Sequence, residues 1–449
     1  MTLIKTCARK LQGREAIRVN LQTVDVLNAV GRSEAPCNCR LCGSQVEQSF
    51  VDLGMSPLCE SFLSLDQVDR MEPYYPLHAR VCGNCFLVQL KDYVGPKHIF
   101  SEYAYFSSYS TSWVAHAKSY VDMIVERLSL GSNNLVVELA SNDGYLLQHF
   151  QPHNIPILGV EPAANVAQVA IDKGIPTRVD FFGWDLAGQF VEEGQLADLI
   201  IGNNVLAQVP DLNDFVSGIQ RLLKPTGIVT LEFPHLHRLM EDKQFDTIYH
   251  EHFSYFSLVT IDHMAHSHKL KVVDLEEIAT HGGSLRVYLA HQASDHMVSA
   301  RVDEMLGREE ALGYRQLATY APFGKHVRAT KRKLLSFLIS AKDQDKTICA
   351  YGAPGKGNTL LNYCGIGPDF IDFAVDRNPY KHGRFTPGMH IPILPIEALA
   401  AAKPDYVLIL PWNLKQEICQ QMRHIGDWGG KFVVPIPEVK VVDPKETTL

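Results

Sequence analysis

The sequence predicts an α/β protein in which two Rossmann-like, doubly wound domains are preceded by a small zinc-binding module. Strand-like apolar runs alternate with helical patterns from about residue 110 to 255 and again after residue 346, and this alternation is typical of βαβ units in parallel sheets. Two Cys-x-x-Cys pairs precede the first of these segments. Cysteine pairs with this spacing are typical of structural zinc sites.

The chain is long enough for two or three domains, since its 449 residues compare with about 150 residues per domain. We therefore expect five segments, in this order: a leader over 1–35 that either is poorly ordered or precedes the true start, a zinc-binding module over 36–105, a cofactor-binding α/β domain over 106–258, a mixed connecting region over 259–340, and a second α/β domain over 341–449.

Composition excludes several classes of partner. The formal net charge is -8 with 20% charged residues, so bulk charge gives no reason to expect nucleic acid or an anionic membrane as a partner. No apolar run approaches the roughly 18 residues that span a bilayer. Ten cysteines in a chain of this length are not a disulfide-dense pattern, which favours the cytoplasm. The sequence leaves open whether the protein is a monomer or a dimer.

Cys39, Cys42, Cys82 and Cys85 form the two Cys-x-x-Cys pairs. Two such pairs can supply four thiolates to one tetrahedral zinc ion, and a site filled by four protein ligands is structural. Cys37 lies two residues before Cys39 and is a competing ligand. The alternatives are a redox dithiol or cysteines without a shared function.

The first strand of the cofactor-binding domain is LVVEL (135–139), and a helix is expected to begin at YLLQHF (145–150). A dinucleotide fingerprint needs three glycines in the turn between strand and helix, so that the backbone approaches a pyrophosphate. Here only Gly144 is present, while Ala140 and Asn142 occupy the other two positions. The turn therefore disfavours a pyrophosphate.

Acidic residues end the first two strands of this domain. Glu138 ends the first strand and suits a ligand with a positive amino group, while Glu161 ends the next strand and suits ribose hydroxyls. These features favour S-adenosylmethionine over NAD, with Asp198 facing the same crevice. The predicted cofactor residues are Glu138, Asn142, Asp143, Gly144, Glu161, Asn203 and Asn204. The alternative is that these acids only cap helices.

Four motifs in this order resemble the S-adenosylmethionine-dependent C-methyltransferases of nucleotide-linked keto-deoxysugars, a three-domain family with an N-terminal zinc-binding module. The motifs are VVELASNDGYLL, IIGNNVLAQVPDL, YHEHFSYFS and AYGAPGKGNTLLNYCGI, and the resemblance covers about residues 36 to 440. It implies a nucleoside-diphosphate 4-keto-deoxysugar as substrate, methylated on the ring carbon next to the ketone, with C-3 as the expected carbon. Gln208 departs from the histidine of the family, which puts a proton-handling role at this position in doubt.

The stretch YHEHFSY (249–255) is the predicted catalytic segment. Breaking a C–H bond next to a ketone requires a base within hydrogen-bonding reach, and the enolate oxygen requires donors. Following the family pattern, His252 is the candidate base, supported by Glu251 and Tyr249. A tyrosine from EYAYFSSYS completes the site, with Tyr105 favoured over Tyr103 and Tyr109. If the segment is extended, Tyr249 and Glu251 share one face and His252 lies on the other. The alternatives are a metal-binding His-x-His pair and a structural strand.

The glycine-rich turn GAPGKG (352–357) follows the first strand of the second α/β domain. It is not a Walker loop, because Lys356 precedes the last glycine, but amides at a helix N-terminus attract anions. The resemblance implies that this domain binds the nucleotide part of the substrate. The predicted substrate residues are Gly355, Lys356, Gly357, Arg377 and Asn378. The alternative is a domain that serves packing only.

Two other functions compete with methyl transfer. A NAD(P)-dependent oxidoreductase or epimerase of nucleotide sugars is favoured only by the GAPGKG turn and is opposed by Ala140 and Asn142. A non-catalytic, zinc-bearing scaffold that binds nucleotide sugars is difficult to reconcile with the proton-handling side chains of YHEHFSY.

Overall fold

A computed structural model describes residues 37–95 and 106–445; the predicted leader over 1–35 and Tyr105 lie outside these ranges. The first strands belong to the cysteine module, and β3, β4 and β5 pair in antiparallel fashion. Their bounds are β1 Cys37–Asn38, β2 Gln45–Val46, β3 Gln48–Ser56, β4 Tyr75–Val81 and β5 Val88–Leu90. Among the described residues, no helix combines the length and apolarity that a membrane span requires.

The middle of the chain forms a seven-stranded sheet with helices on its faces. The strands are β6 Val136–Leu139, β7 Ile157–Val160, β8 Thr177–Arg178, β9 Ala197–Asn203, β10 Leu223–Pro234, β11 Ser254–Tyr255, β12 Leu270–Ile278 and β13 Ser284–His291. The helices are α1 Thr111–Leu128, α2 Ala164–Asp172, α3 Trp184–Glu192, α4 Leu212–Leu222, α5 Leu236–Glu241 and α6 Leu258–Ser267. All of these strands except β11 belong to the sheet, whose order is β12-β13-β10-β9-β6-β7-β8.

Strand order places a switch point at β6. The strands β8, β7, β6, β9 and β10 pair in parallel, and β6 lies between β7 and β9 because the chain turns to opposite sides after it. All four residues of β6 are buried, as expected of a parallel strand covered on both faces. Ligands of such sheets bind beyond the carboxyl ends at the switch point.

The sheet extends beyond the predicted domain boundary at residue 258. Strands β12 and β13 pair with each other, and β13 pairs in antiparallel fashion with β10, so part of the predicted connecting region over 259–340 belongs to this domain. The hairpin covers what would otherwise be an exposed edge of β10. The helix predicted at 145–150 is instead a pair of short 3-10 turns, Leu147–His149 and Gln151–His153, because Pro152 has no amide hydrogen to continue an α-helix.

The remaining chain forms three helices and a second sheet. The helices of the connecting region are α7 Ala300–Ala311, α8 Leu317–Tyr320 and α9 Phe323–Lys342. The second sheet has the order β16-β15-β14-β17-β18-β19 and is parallel except for β19. Its elements are β14 Ile348–Tyr351, α10 Gly355–Cys364, β15 Ala374–Val375, β16 Ile393–Leu394, α11 Ala398–Ala402, β17 Tyr406–Ile409, α12 Lys415–Gln421, β18 Lys431–Val434 and β19 Lys440–Val442. The predicted α/β class with two Rossmann-like sheets and a cysteine module is confirmed.

The cysteine module and the second sheet share one hydrophobic core. Phe50 of β3 stacks on Phe323 of α9 with ring centroids 4.3 Å apart, and both side chains belong to a buried cluster that includes the strands of the second sheet. A separate cluster lies between α1 and one face of the seven-stranded sheet. The module is therefore packed as part of the C-terminal half of the molecule.

Candidate active site

The four cysteines of the two pairs converge on one point. The sulfur atoms of Cys39, Cys42, Cys82 and Cys85 all lie within 4.8 Å of one another, with Cys39 Sγ 3.5 Å from Cys85 Sγ and Cys42 Sγ 3.5 Å from Cys82 Sγ. Four converging thiols match the tetrahedral preference of zinc. Cys37 is outside this cluster.

The cysteine module positions the YHEHFSY segment. Strand β11, which ends this segment, pairs with β5 in the module sheet, with Ser254 opposite Gln89. The amide of Leu90 also donates to the carbonyl of Phe253 at 2.9 Å. Arg40 lies between Cys39 and Cys42 of the first Cys-x-x-Cys pair, and its guanidinium donates to the carbonyl of Pro210 at 2.6 Å. The zinc module therefore supports the backbone that carries the predicted base.

The turn after β6 is sharply bent. Ala140, Asn142 and Gly144 all have positive φ values, of 56°, 49° and 76°, which L-residues other than glycine adopt infrequently. A Cβ on Gly144 would lie 2.3 Å from Cδ1 of Ile175. The positive φ and the close approach of Ile175 favour glycine at the third fingerprint position, while Ala140 and Asn142 place side chains at the first two.

Glu161 joins this turn to its own loop after β7. Its Oε2 accepts from the amide of Asn142 at 2.9 Å, and its Oε1 accepts from the amide of Ala163 at 2.8 Å. Burial raises the pKa of Glu161 above its ordinary value, and the two amide hydrogen bonds oppose that effect. Each oxygen keeps a second lone pair that can accept from a ligand hydroxyl.

Several buried polar atoms at the carboxyl ends of β6 and β9 have no hydrogen-bond partner among the described residues. They are Glu138 Oε2, Ser141 Oγ, Asp143 Oδ1, Asn203 Oδ1 and Asn204 Nδ2. Such orphan atoms are rare unless a ligand or water satisfies them. Burial raises the pKa of Glu138 well above its ordinary value, and the charges of Glu161 and Asp143 add to this effect.

The unpartnered polar atoms at this edge fit S-adenosylmethionine. Acceptors dominate among the orphan atoms, and a ligand with an ammonium group and ribose hydroxyls supplies the matching donors. S-adenosylmethionine, when bound, supplies an electrophilic methyl group at its sulfonium. Glu138 lies within the last two residues of β6, the predicted residues 142–144 lie in the turn beyond it, Glu161 follows β7, and Asn203 and Asn204 lie at the end of β9.

The expectation for Asp198 is wrong. This residue lies near the start of β9, at the opposite edge of the sheet from the crevice. Its Oδ2 accepts from the amide of Leu135 at 2.7 Å and from Nζ of Lys224 at 2.7 Å. The strand begins at Ala197, so only the residues at its other end, Asn203 and the following Asn204, reach the carboxyl edge.

The YHEHFSY segment is turned, and Tyr249 and His252 lie together. The amide of His252 donates to the carbonyl of Tyr249 at 2.9 Å, which closes a turn, and the two rings have centroids 4.1 Å apart. The segment is therefore not extended here, and the partition of faces that holds for an extended strand does not apply. The hydroxyl of Tyr249 lies 3.0 Å from Nε2 of His252.

The tautomer of His252 follows from its partners. Its Nδ1 lies 3.0 Å from the carbonyl oxygen of Thr247, and a carbonyl only accepts, so Nδ1 carries the hydrogen and Nε2 accepts from Tyr249. Burial lowers the pKa of His252 to about 3. The ring is therefore neutral at physiological pH, with the lone pair of Nε2 directed at Tyr249, which is only partly buried.

Glu251 points away from this pair. Sγ of Cys59 lies 3.6 Å from its Oε1, and burial together with the charge of Glu60 raises the pKa of Glu251 to about 8. The side chain therefore lies against the loop that follows β3. His250 contacts β4 instead, with its Nε2 3.2 Å from the carbonyl oxygen of Pro76.

The predicted substrate residues lie at the switch point of the second sheet, where β14 has β15 on one side and β17 on the other. Gly355, Lys356 and Gly357 form the first turn of α10. Asn378 Oδ1 accepts from the amide of Tyr380 at 3.0 Å, and the mostly exposed Arg377 lies 3.7 Å from a carboxylate oxygen of Glu417.

Two groups of buried side chains near these sites were not predicted. Glu232, at the end of β10, accepts from Nη2 of Arg286 at 2.9 Å and lies 3.2 Å from Nε2 of His116. Burial alone would raise the pKa of Glu232, but these partners lower it below its ordinary value. Asp246 accepts from Nε1 of Trp412 at 2.6 Å. The sequence offered a signal for Glu232, which is an acidic residue near the end of the predicted strand TLEFP. It offered none for the pair Asp246 and Trp412, which lie 166 residues apart in the chain.

Gln208, the position of the departure from the family, lies half-buried in a 3-10 turn, Leu206–Gln208, after β9. Its amide donates to the carbonyl of Val205 at 2.8 Å. The 3-10 turn follows β9 directly, whereas YHEHFSY comes after β10 and α5 in the chain.

Family models match three consecutive parts of the chain. They describe a zinc binding domain over residues 39–100, a methyltransferase domain over 113–275 and a C-methyltransferase C-terminal domain over 279–437. The C-methyltransferase NovU of Streptomyces niveus is 38% identical over 412 residues, which cover 91% of this chain and 97% of that protein.

Solved structures with partial likeness include two methyltransferases. Magnesium protoporphyrin IX methyltransferase of Synechocystis PCC 6803 with bound SAM is 14% identical, covering 43% of this chain and 88% of that chain with a TM-score of 0.30. The CcbJ methyltransferase of Streptomyces caelestis is 12% identical, covering 39% and 90% with a TM-score of 0.31. The family matches exclude the nicotinamide-dependent oxidoreductase and the non-catalytic scaffold. The chain belongs to the zinc-module C-methyltransferase family and is an S-adenosylmethionine-dependent C-methyltransferase.

Proposed function

We propose that the protein transfers the methyl group of S-adenosylmethionine to the ring carbon next to the ketone of a nucleoside-diphosphate 4-keto-deoxysugar, with C-3 as the methylated carbon. The observation that carries this proposal is the Tyr249–His252 pair, a neutral imidazole whose accepting nitrogen lies 3.0 Å from a partly buried phenol. Methylation of carbon requires a carbon nucleophile, and a base beside a ketone generates one.

The reaction begins with the loss of a proton. The C–H bond next to the ketone breaks, its electrons form a carbon–carbon double bond, and the ketone oxygen becomes an oxyanion. The proton passes to Nε2 of His252, either directly or through the hydroxyl of Tyr249. Burial of His252 makes its imidazolium form costly, and the negative charge of the enolate offsets that cost.

Methyl transfer follows by displacement. The electrons of the double bond form the new carbon–carbon bond and the carbonyl is restored, while the electrons of the sulfur–methyl bond remain on sulfur. This step needs mainly in-line positioning of the two reactants. The turn held by Glu161 fixes the donor side, and Nδ1 of His252, bonded to the carbonyl of Thr247, fixes the base.

The second α/β sheet is the proposed platform for the nucleotide. Its switch point lies at β14, where an open parallel sheet binds ligands, and the exposed Arg377 and the partly buried Asn378 follow β15 beside it. No nucleic acid or membrane partner is expected, and the cytoplasm remains the expected compartment.

The test is a methylation assay with three probes, the thymidine, guanosine and cytidine diphosphates of 4-keto-6-deoxyhexoses. We expect mass spectrometry to show a gain of one methyl group with at least one probe and S-adenosylmethionine, and His252→Ala to lose the activity while binding S-adenosylhomocysteine normally. Absence of methylation with all three probes, in protein that binds S-adenosylhomocysteine, would refute the proposed substrate class.

A further inference from the structure

A protein carboxylate occupies the N-terminus of α10. Glu60 and Cys59 lie against Gly355, where a Cβ would be 3.1 Å from Glu60 Oε1 and 2.9 Å from Cys59 Sγ. The amide side chain of Asn358 also donates to the carbonyl of Cys59 at 2.6 Å. A phosphate at the amide of Gly355 would meet a space that Cys59 and Glu60 already fill, so the nearby Lys356 needs a different explanation from phosphate binding.

The side chain of Lys356 is directed at the loop after β17. Its Nζ donates to Oδ1 of Asn413 at 2.9 Å and lies 5.1 Å from the ring centroid of Trp412. An ammonium group has three donors, and this neutral amide uses one of them. Burial lowers the pKa of Lys356, and the charge of Asp246 opposes that effect.

The nearby carboxylate does not hold the ammonium group by a hydrogen bond. Asp246 is fully buried, and it accepts from Nε1 of Trp412 through Oδ2, while its Oδ1 has no partner among the described residues. A partly buried cation with free donors is costly unless an anionic group reaches it. The structure therefore presents a positive charge that is held in place and left available to a ligand.

This cation and the candidate base belong to one contiguous assembly. Trp412 binds Asp246, the next residue is Thr247, and the carbonyl of Thr247 accepts from Nδ1 of His252 at 3.0 Å. The same indole contacts the turn at Gly282, where a Cβ would lie 2.7 Å from its ring. After burial, the charge of Lys356 is among the causes that lower the pKa of His252, so the two groups are near enough to interact electrostatically.

We propose that Lys356 is a catalytic residue of enolate formation, whose ammonium group donates a hydrogen bond to the ketone oxygen of the substrate while His252 accepts the proton from the neighbouring carbon. The oxygen gains charge when the C–H bond breaks and returns it when the new carbon–carbon bond forms, so Lys356 stabilises the oxyanion without transferring a proton. Donors that await a developing oxyanion act most strongly where water is excluded.

The inference rests on the proposed function and is tested on the first half of the reaction. In D₂O with S-adenosylhomocysteine, the enzyme exchanges the hydrogen next to the ketone for deuterium, which NMR follows for the three 4-keto-6-deoxyhexose nucleotides. Removal of one oxyanion donor typically costs about 10²- to 10³-fold in rate. We expect that loss for Lys356→Met and Lys356→Gln, with the affinities for S-adenosylhomocysteine and for the three nucleoside diphosphates within about threefold of wild type.

Lys346→Met is the matched control. Lys346 lies before β14, at the other end of the strand that precedes Lys356, and pairs with Asp405 at 2.9 Å, so its replacement should leave exchange unchanged. Exchange at the wild-type rate in both Lys356 variants, with nucleoside diphosphate binding weakened tenfold or more, would make Lys356 a phosphate ligand and overturn the inference. Absence of exchange and methylation in the wild type with every probe would instead refute the proposed function.

Discussion

The replacement Glu161→Gln tests how the cofactor turn is held. In the wild type, one oxygen accepts from the amide of Asn142 and the other from the amide of Ala163. Glutamine offers only one acceptor atom, so its side-chain NH₂ group must face one of the two backbone donors. The variant therefore loses one charge-assisted hydrogen bond and weakens the other.

The expected magnitude follows from that count. A hydrogen bond to a charged group contributes about 1.5–3 kcal/mol, and about 1.4 kcal/mol corresponds to a tenfold change in an equilibrium constant. If the turn must be restored for the cofactor to bind, the affinity for S-adenosylhomocysteine should fall by about 10- to 150-fold. Loss of the acceptors for ribose hydroxyls acts in the same direction.

Titration calorimetry with S-adenosylhomocysteine measures this change, and urea unfolding without ligand measures the effect on the fold. Asp198→Asn is the control, since Asp198 also accepts from a backbone amide, that of Leu135, but at the opposite edge of the sheet. It should lower stability and leave affinity unchanged. An affinity of Glu161→Gln within threefold of wild type would refute the assignment of Glu161 to the cofactor site.

Three further predictions concern the catalytic segment. Tyr249→Phe removes the donor to His252, and we expect at least a hundredfold loss in kcat because the hydroxyl relays a proton. Loss of a purely structural hydrogen bond of about 1 kcal/mol would slow methyl transfer only roughly fivefold. A loss smaller than a hundredfold would exclude a proton relay. Removing zinc with a mercurial and a chelator should abolish methyl transfer but keep S-adenosylhomocysteine binding within about threefold, because β11 pairs with the module sheet; full activity at zero zinc content would contradict this. Burial and the Glu60 charge raise the pKa of Glu251 to about 8, so the stability it contributes is complete below its unfolded value near 4.5 and is lost as the pH rises through about 8. Urea midpoints from pH 5 to 8.5 should therefore fall less for Glu251→Gln than for wild type, and parallel curves would contradict the raised pKa.

The sequence by itself determined the elements that depend on local pattern. Apolar runs such as LVVEL formed buried strands because a parallel strand is covered on both faces. The cysteine spacing predicted the four-thiol cluster because each knuckle aims two sulfurs at one point. The acids and amides after β6, β7 and β9 reached one edge because the carboxyl ends of parallel strands meet there.

Only the tertiary structure decided the arrangement of the reaction centre. The pairing of Tyr249 with His252 depends on a turn that the alternation of side chains in a strand does not predict. Glu251 instead contacts Cys59, which lies 192 residues earlier in the chain. Glu60, from the loop after β3, lies against Gly355 at the start of α10, a contact that the glycine-rich turn itself does not predict. Sequence patterns report the periodicity of one segment. The contact of Glu251 with Cys59 joins residues far apart in the chain, and its geometry is fixed only when the shared core packs.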